Sequence, residues 1–189
     1  MCLHTALERF IDSLKKNKSP YIFPTMHPDY KIPSQSRIGH VHLKVADLQR
    51  ALDFYCGLLG FELMMMYGED AAFISAGGYH HHIGLNTWYS KGKPPAPVHA
   101  AGLFHTAILL PTRKDLAFLY NRLIEAEYPL TGASDHGVSE ALYLNDPDNN
   151  GVELYWDRPA ASWPKKDDGS LDMFTASLNL NSLLNELRG

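Results

Sequence analysis

From Ile38 onward the chain alternates. Val41, Leu43 and Val45 are aliphatic, while His40, His42 and Lys44 fall between them, a period of two that predicts a strand with its histidines on one face. Asp47 then stands where a helix N-cap belongs, and Leu48, Ala51, Leu52, Tyr55 and Leu59 mark one helical stripe that stops at Gly60. FELMMMY, AAFISA and HHIGLNTW follow as three short strands, punctuated by Gly68 and by Gly77 and Gly78. After the Pro- and Gly-rich stretch KGKPPAPVHAAG the same order recurs. His105 through Leu110 repeats the strand, Leu116, Leu119, Tyr120 and Leu123 repeat the helix, and YPLTGA, EALYLND and GVELYW supply three more strands. Laying His40 on His105, an interval of 65 residues, also lays Tyr55 on Tyr120 and Leu58 on Leu123 without a gap.

The expected fold is therefore α+β, built of two tandem βαβββ modules. The first spans residues 37–90, the second 102–158, and a linker over 91–101 joins them. Ahead of them, residues 1–36 read as an appendage: Leu7, Phe10, Ile11 and Leu14 predict a short helix over 4–17, followed by a Pro-rich connector. Behind them, residues 159–189 begin polar and close with Leu180, Leu183, Leu184 and Leu187 at helical spacing. That closing helix is expected on the outside or against a partner subunit, which leaves room for a homo-oligomer.

Charge and composition narrow the function classes. The 189 residues carry a formal net charge of −4 with no basic run longer than a pair, so no nucleic-acid partner is expected. No apolar stretch approaches the roughly 18 residues of a membrane span, and the N-terminus has acids where a signal peptide would be basic and then apolar. No membrane association is expected, and the cytoplasm is the default location. Cys2 and Cys56 lie far apart, which sets aside a disulfide framework. The three methionines Met64, Met65 and Met66 are expected to fill core, and Asp146 through Gly151 to form a turn.

The 10 histidines change the picture. His40 and His105 open equivalent strands of the two modules, and Glu153 alternates with Val152 and Leu154 in an apolar final strand. A carboxylate there needs a partner or a metal. Two imidazoles and one carboxylate suit non-haem iron(II) with open coordination positions and would also hold manganese or zinc. A lone histidine is more often a satisfied polar group; this trio, at matching positions of a duplicated unit, points to a site.

The duplicated unit, with GHVHLKVADLQRALDFYCGLLGFEL in its first copy and DPDNNGVELYW near its end, resembles the vicinal oxygen chelate superfamily. The resemblance covers residues 37–158 and implies a cup-shaped mixed sheet around a divalent metal. Within that superfamily, HGVSEALYLNDPDNNGVE resembles the signature of extradiol ring-cleavage dioxygenases, departing from it at Asn149, where Gly or Pro is usual. The resemblance implies His40, His105 and Glu153 as metal ligands, iron(II) as the metal, and His136 and Tyr143 as hydrogen-bonding groups beside a catechol-like diol and dioxygen. YHHHIGL resembles the segment that carries an acid–base histidine, assigned to His82 with His81 as the alternative. Glyoxalases of the same superfamily add a fourth ligand at the place matching Gly84, which has no side chain. Two other readings stay open: a lyase or isomerase using zinc, nickel or manganese, and a bleomycin-resistance-like protein that binds a small aromatic without turnover.

Overall fold

A computed structural model describes residues 30–188. The helix expected over 4–17, with Cys2, His4 and His27, lies outside the described residues. The chain divides after Arg37 into two compact units, and both modules lie in the second, Ile38–Gly189. In the first unit the described residues include one turn, where Ser36 N donates to Pro33 O at 2.9 Å.

The first module runs β1 (Val41–Lys44), α1 (Leu48–Leu52), β2 (Glu62–Tyr67), β3 (Ala71–Ser75) and β4 (Ile83–Asn86). Its strands lie in the order β1-β4-β3-β2, with β1 and β4 parallel and the remaining pairs antiparallel. Alternation along β1 holds: Leu43 is buried while His42 and Lys44 are exposed. The Asp47 carboxylate accepts Arg50 N at 3.0 Å and caps α1. The helical stripe does not stay α-helical, because Asp53–Leu58 winds as a π-helix in which Leu59 N reaches back five residues to Phe54 O. This wide turn accompanies the burial of two successive rings, Phe54 and Tyr55, edge to face at 4.8 Å.

The second module repeats the order with β5 (Thr106–Leu109), α2 (Arg113–Glu125), β6 (Gly132–Asp135), β7 (Ser139–Asn145) and β8 (Gly151–Asp157). Thr112 and Asp115 form a reciprocal capping box at the start of α2. The C-terminal segment adds β9 (Ala176–Ser177), antiparallel to β6, so this sheet runs β5-β8-β7-β6-β9. The expected α+β pair of βαβββ modules is present, as two hydrogen-bonded sheets, one for each module. No helix among the described residues is long and apolar enough to cross a membrane.

Two expectations need correction. Met64, Met65 and Met66 do not fill core; they are exposed because β2 is the outermost strand of its sheet. The strand expected over YPLTGA begins only at Gly132.

One continuous core joins the modules, with Leu43, Ile74 and Leu85 from the first and Leu116, Leu142 and Leu154 from the second. The closing helix, α3 (Leu180–Asn185), inserts fully buried Leu183 into this core, and Arg113 of α2 pairs with Glu186 at 2.7 Å. The turn Asp146–Gly151 also joins the modules. Asp146 accepts the buried Tyr55 hydroxyl at 3.1 Å and three donors from its own loop, the backbone N–H of Asp148 and of Asn150 and the Asn150 side-chain amide, each at 2.8 Å. Asp148 accepts Ala46 N and the Arg50 guanidinium at 3.1 and 2.7 Å. Asn149 takes φ +62°, the left-handed conformation that glycine and asparagine tolerate, so the departure from the family signature preserves the turn.

Truncating a buried acceptor strands its donors at roughly 1–3 kcal/mol, whereas removing one donor costs about 1 kcal/mol. Asp146→Ala is expected to lower the free energy of urea unfolding by about 3 kcal/mol, with Tyr55→Phe losing about 1 kcal/mol. Equal losses in the two variants would show that Asp146 is not the hub of the junction.

Candidate active site

The second module gathers four of the six candidate side chains. Parallel pairing of β5 with β8 sets Ala107 opposite Glu153, and antiparallel pairing of β7 with β8 sets Tyr143 opposite Glu153 on its other side. Gly151 permits the approach: a Cβ there would lie 2.1 Å from Phe104 O and 3.1 Å from His105 Cα, so any side chain would push His105 away from β8. His105 Nε2 consequently sits 2.9 Å from Glu153 Oε2. The Tyr143 hydroxyl lies 3.1 Å from Glu153 Oε1, and His136 Nε2 lies 2.8 Å from that hydroxyl. Glu153, whose side chain is only 13% exposed, thus has a polar group within hydrogen-bond distance of each oxygen. His105 Nδ1 is buried and has no partner among the described residues, so the polar anchoring of that ring lies at Nε2.

The first module arranges its histidines differently. His40 is exposed just before β1, with its ring centroid 4.4 Å from that of His81, which in turn lies 4.9 Å from Phe73. His80 Nδ1 and His81 Nδ1 are 2.8 Å apart. His82 is held by Ser75 Oγ at 2.9 Å and by Ala76 N at 3.3 Å, both on Nδ1. A backbone N–H only donates, so Nδ1 is the bare nitrogen and the His82 proton resides on Nε2. The ring beside His40 is therefore that of His81, while His82 is anchored to the end of β3.

Register explains why the two halves differ. His42 pairs with Gly84 as Ala107 pairs with Glu153. A Cβ on Gly84 would meet the His42 ring at 2.9 Å, so His42 fills the space that Glu153 fills in the other module. Burial, and then the neighbouring His40, push the His42 imidazole below its ordinary pKa. A cavity of about 440 Å³ is lined by His40, His82, Thr106 and Ala107, and a second of about 760 Å³ by His42, Lys44, Tyr89 and Phe104.

Of the three expected ligands, the structure brings His105 and Glu153 together and leaves His40 against His81. Among the described residues no group of three His, Cys, Asp or Glu side chains is gathered to hold a metal ion. The pair itself fits two places in one coordination shell: ligands about 2.1 Å from a metal and at a right angle to each other stand about 3 Å apart. Three features went unread in the sequence: the seat of His42 over Gly84, the close approach at Gly151, and the contacts of Phe174 and Thr175 with His136. A glycine next to a ligand-bearing strand was the available signal for the first two.

Burial, and then the Glu153 charge, push the Tyr143 phenol up to about 12. With an unfolded value of about 10, its contribution to stability is complete below about pH 10 and is lost as pH rises through about 12. Phenolate absorbance of the native protein, compared with Tyr143→Phe, is expected to differ by one group ionising near 12. A difference centred near the ordinary tyrosine value would place the hydroxyl away from Glu153.

Residues 37–154 match the family model described as the Glyoxalase/Bleomycin resistance protein/Dioxygenase superfamily. A catechol-2,3-dioxygenase of Bacillus subtilis strain 168 is 38% identical over 159 residues, covering 82% of this chain and 53% of that protein. Biphenyl-2,3-diol 1,2-dioxygenase 2 of Rhodococcus globerulus is 34% identical over 125 residues, covering 64% of this chain and 63% of that protein. The chain thus spans between half and two thirds of the length of these relatives. Among solved structures, a glyoxalase/dioxygenase from Nostoc punctiforme superposes with a TM-score of 0.57 at 15% identity, covering 74% of this chain and 100% of that one. A glyoxylase/bleomycin resistance protein/dioxygenase domain from Frankia superposes with a TM-score of 0.56 at 25% identity, covering 67% and 96%. With the duplicated module, its topology and the family match in agreement, the chain belongs to the glyoxalase/bleomycin resistance/dioxygenase superfamily.

Proposed function

We propose that the chain is an extradiol dioxygenase that uses iron(II) and dioxygen to open the ring of a catechol-like diol. The observation that carries this reading is the continuous set His105, Glu153, Tyr143 and His136, in which an imidazole and a carboxylate converge and a phenol and a second imidazole stand behind them. The names of the relatives, a catechol-2,3-dioxygenase and a biphenyl-2,3-diol dioxygenase, support the substrate class. His105 Nε2 and Glu153 Oε2 would supply two donors and His40, at the equivalent strand position of the first module, the third. Iron(II), when bound, supplies open coordination positions for diol and dioxygen together and the electron exchange between them.

The chain's own residues would do the rest. Tyr143 keeps its proton throughout the neutral range and donates a hydrogen bond rather than carrying charge. His136 stands behind that hydroxyl and can give or take a proton through it. His82, with its proton on Nε2 and its Nδ1 held by Ser75 and Ala76, is oriented as a single donor on the first-module side. His42 over Gly84 weighs against a four-ligand lyase, because its ring occupies the place a fourth carboxylate would need.

Anaerobic loading with iron(II), followed by oxygen uptake with a panel of substituted catechols, tests the reading. Uptake in step with diol consumption is expected. Diol binding that survives complete metal removal, with no uptake, would favour a sequestering protein instead. Iron is also expected to raise the thermal midpoint relative to chelator, since a ligand of the native state alone stabilises it. Glu153→Gln should abolish this rise while changing the metal-free midpoint little, and His42→Ala should preserve the rise. Loss of metal in His42→Ala but not in His40→Ala would transfer the ligand role along β1. Positioned histidines are worth about 10²–10⁴ in rate, so His82→Phe is expected to lower turnover by that order with metal content retained. If His81→Phe suffers that loss and His82→Phe does not, the acid–base role belongs to the ring beside His40.

A further inference from the structure

Beyond the superfamily fold, the C-terminal segment crosses the second module. Pairing of β9 with β6 draws Phe174 and Thr175 over His136, and Phe174 N donates to His136 O at 3.3 Å. The segment sits close: a Cβ on Gly137, which has φ +77°, would lie 2.6 Å from the Phe174 ring and 2.9 Å from Pro164. His136 Nδ1 lies 3.2 Å from Phe174 O and 3.2 Å from Thr175 Oγ1.

Counting protons along this chain of contacts assigns the ring. A carbonyl oxygen only accepts, so Nδ1 carries a hydrogen, and Thr175 Oγ1 accepts from the same N–H. A neutral His136 then has a bare Nε2, which takes the single proton of the Tyr143 hydroxyl at 2.8 Å. Tyr143 has no second proton to give Glu153 at 3.1 Å. It donates to Glu153 only when His136 gains a proton on Nε2 and donates that one to the phenol oxygen. Each arrangement conserves protons, and the two differ by one proton on His136.

We propose that Phe174 and Thr175 are positioning residues of the site: the Phe174 carbonyl and the Thr175 hydroxyl hold His136 with Nδ1 protonated. The Tyr143 hydroxyl thereby points to His136 when that ring is neutral and to Glu153 when it is charged. Were Nδ1 bare, a neutral His136 would donate from Nε2, and Tyr143 would face Glu153 at every pH. The segment gives the four-residue relay its switching direction. The consequence for turnover rests on the ring-cleavage reading; the ring state of His136 does not.

Long-range ¹H–¹⁵N correlation spectra of the full chain, recorded at alkaline pH with and without added zinc, read the tautomer directly. The expected result is an Nδ1–H His136 in the native protein, a larger share of the other tautomer in Thr175→Val, and the native state restored in Thr175→Ser. An Nε2–H His136 in the native protein, or an identical tautomer in all three proteins, would overturn the inference whatever the activity. In catechol turnover, Thr175→Val is expected to lower kcat about three- to tenfold, the worth of one hydrogen bond, at unchanged KM, with Thr175→Ser near native. If the tautomers behave as expected and no diol is consumed, the ring-cleavage reading fails and the positioning role stands.

Discussion

A carboxylate that is only 13% exposed, projecting from β8 between aliphatic neighbours, constrains everything around it. Burying it without partners would cost several kcal/mol, so strand register has to bring a polar side chain to each oxygen. Parallel pairing with β5 brings His105 to one side, and antiparallel pairing with β7 brings Tyr143 to the other. The first of these depends on Gly151, because the chain ahead of β5 passes where its side chain would be. Backbone geometry, carboxylate satisfaction and the shape of the site are one constraint.

Duplication alone would give two such clusters around a buried carboxylate, and the described residues hold one. The module halves exchange large for small across the same register: His42 over Gly84 in the first, Ala107 beside Glu153 in the second. In the first module a side chain on Gly84 would meet the His42 ring, so only one of the two paired positions can be large. The turn after β7 breaks the symmetry again. Asp146 and Asp148 dock the second module onto Tyr55, Ala46 and Arg50 of the first, whereas the corresponding turn after β3, Ala76–Gly77–Gly78, contains no acid. The two modules thus differ in the side chains they bring together, although their strand order is the same.

Periodicity was enough to place most strands of the two modules, the helix of each and the 65-residue repeat, because alternation and helical stripes are local consequences of which face is buried. It could not show how buried a strand would be. FELMMMY reads alike in a sheet centre or at its edge, and β2 proved to be an edge. Nor could it show the π-helix, since Phe54 and Tyr55 in succession satisfy a helical stripe almost as well with 3.6 residues per turn as with a wider one. Glu153, Tyr143, His105 and His136 were legible as a set because the strands carrying them are adjacent in the repeat. His40 was placed by equivalence, and equivalence specifies a strand position without specifying the ring that packs beside it.

The contacts on His136 lay beyond any local pattern. Phe174 and Thr175 are 38 and 39 residues away, in a polar segment without periodicity, and their partnership follows from a two-residue strand pairing with β6. That pairing is possible because β6 ends its sheet in the repeat and so offers an open edge, as β2 does in the first module. In the first module the edge carries the exposed methionines; in the second it is covered by chain from outside the repeat. The cover reaches His136, which stands at the end of β6, and through it Tyr143 and Glu153. An edge that a strand-only reading treats as a hazard is here the place where a segment foreign to the duplication gains contact with the carboxylate around which the module is built.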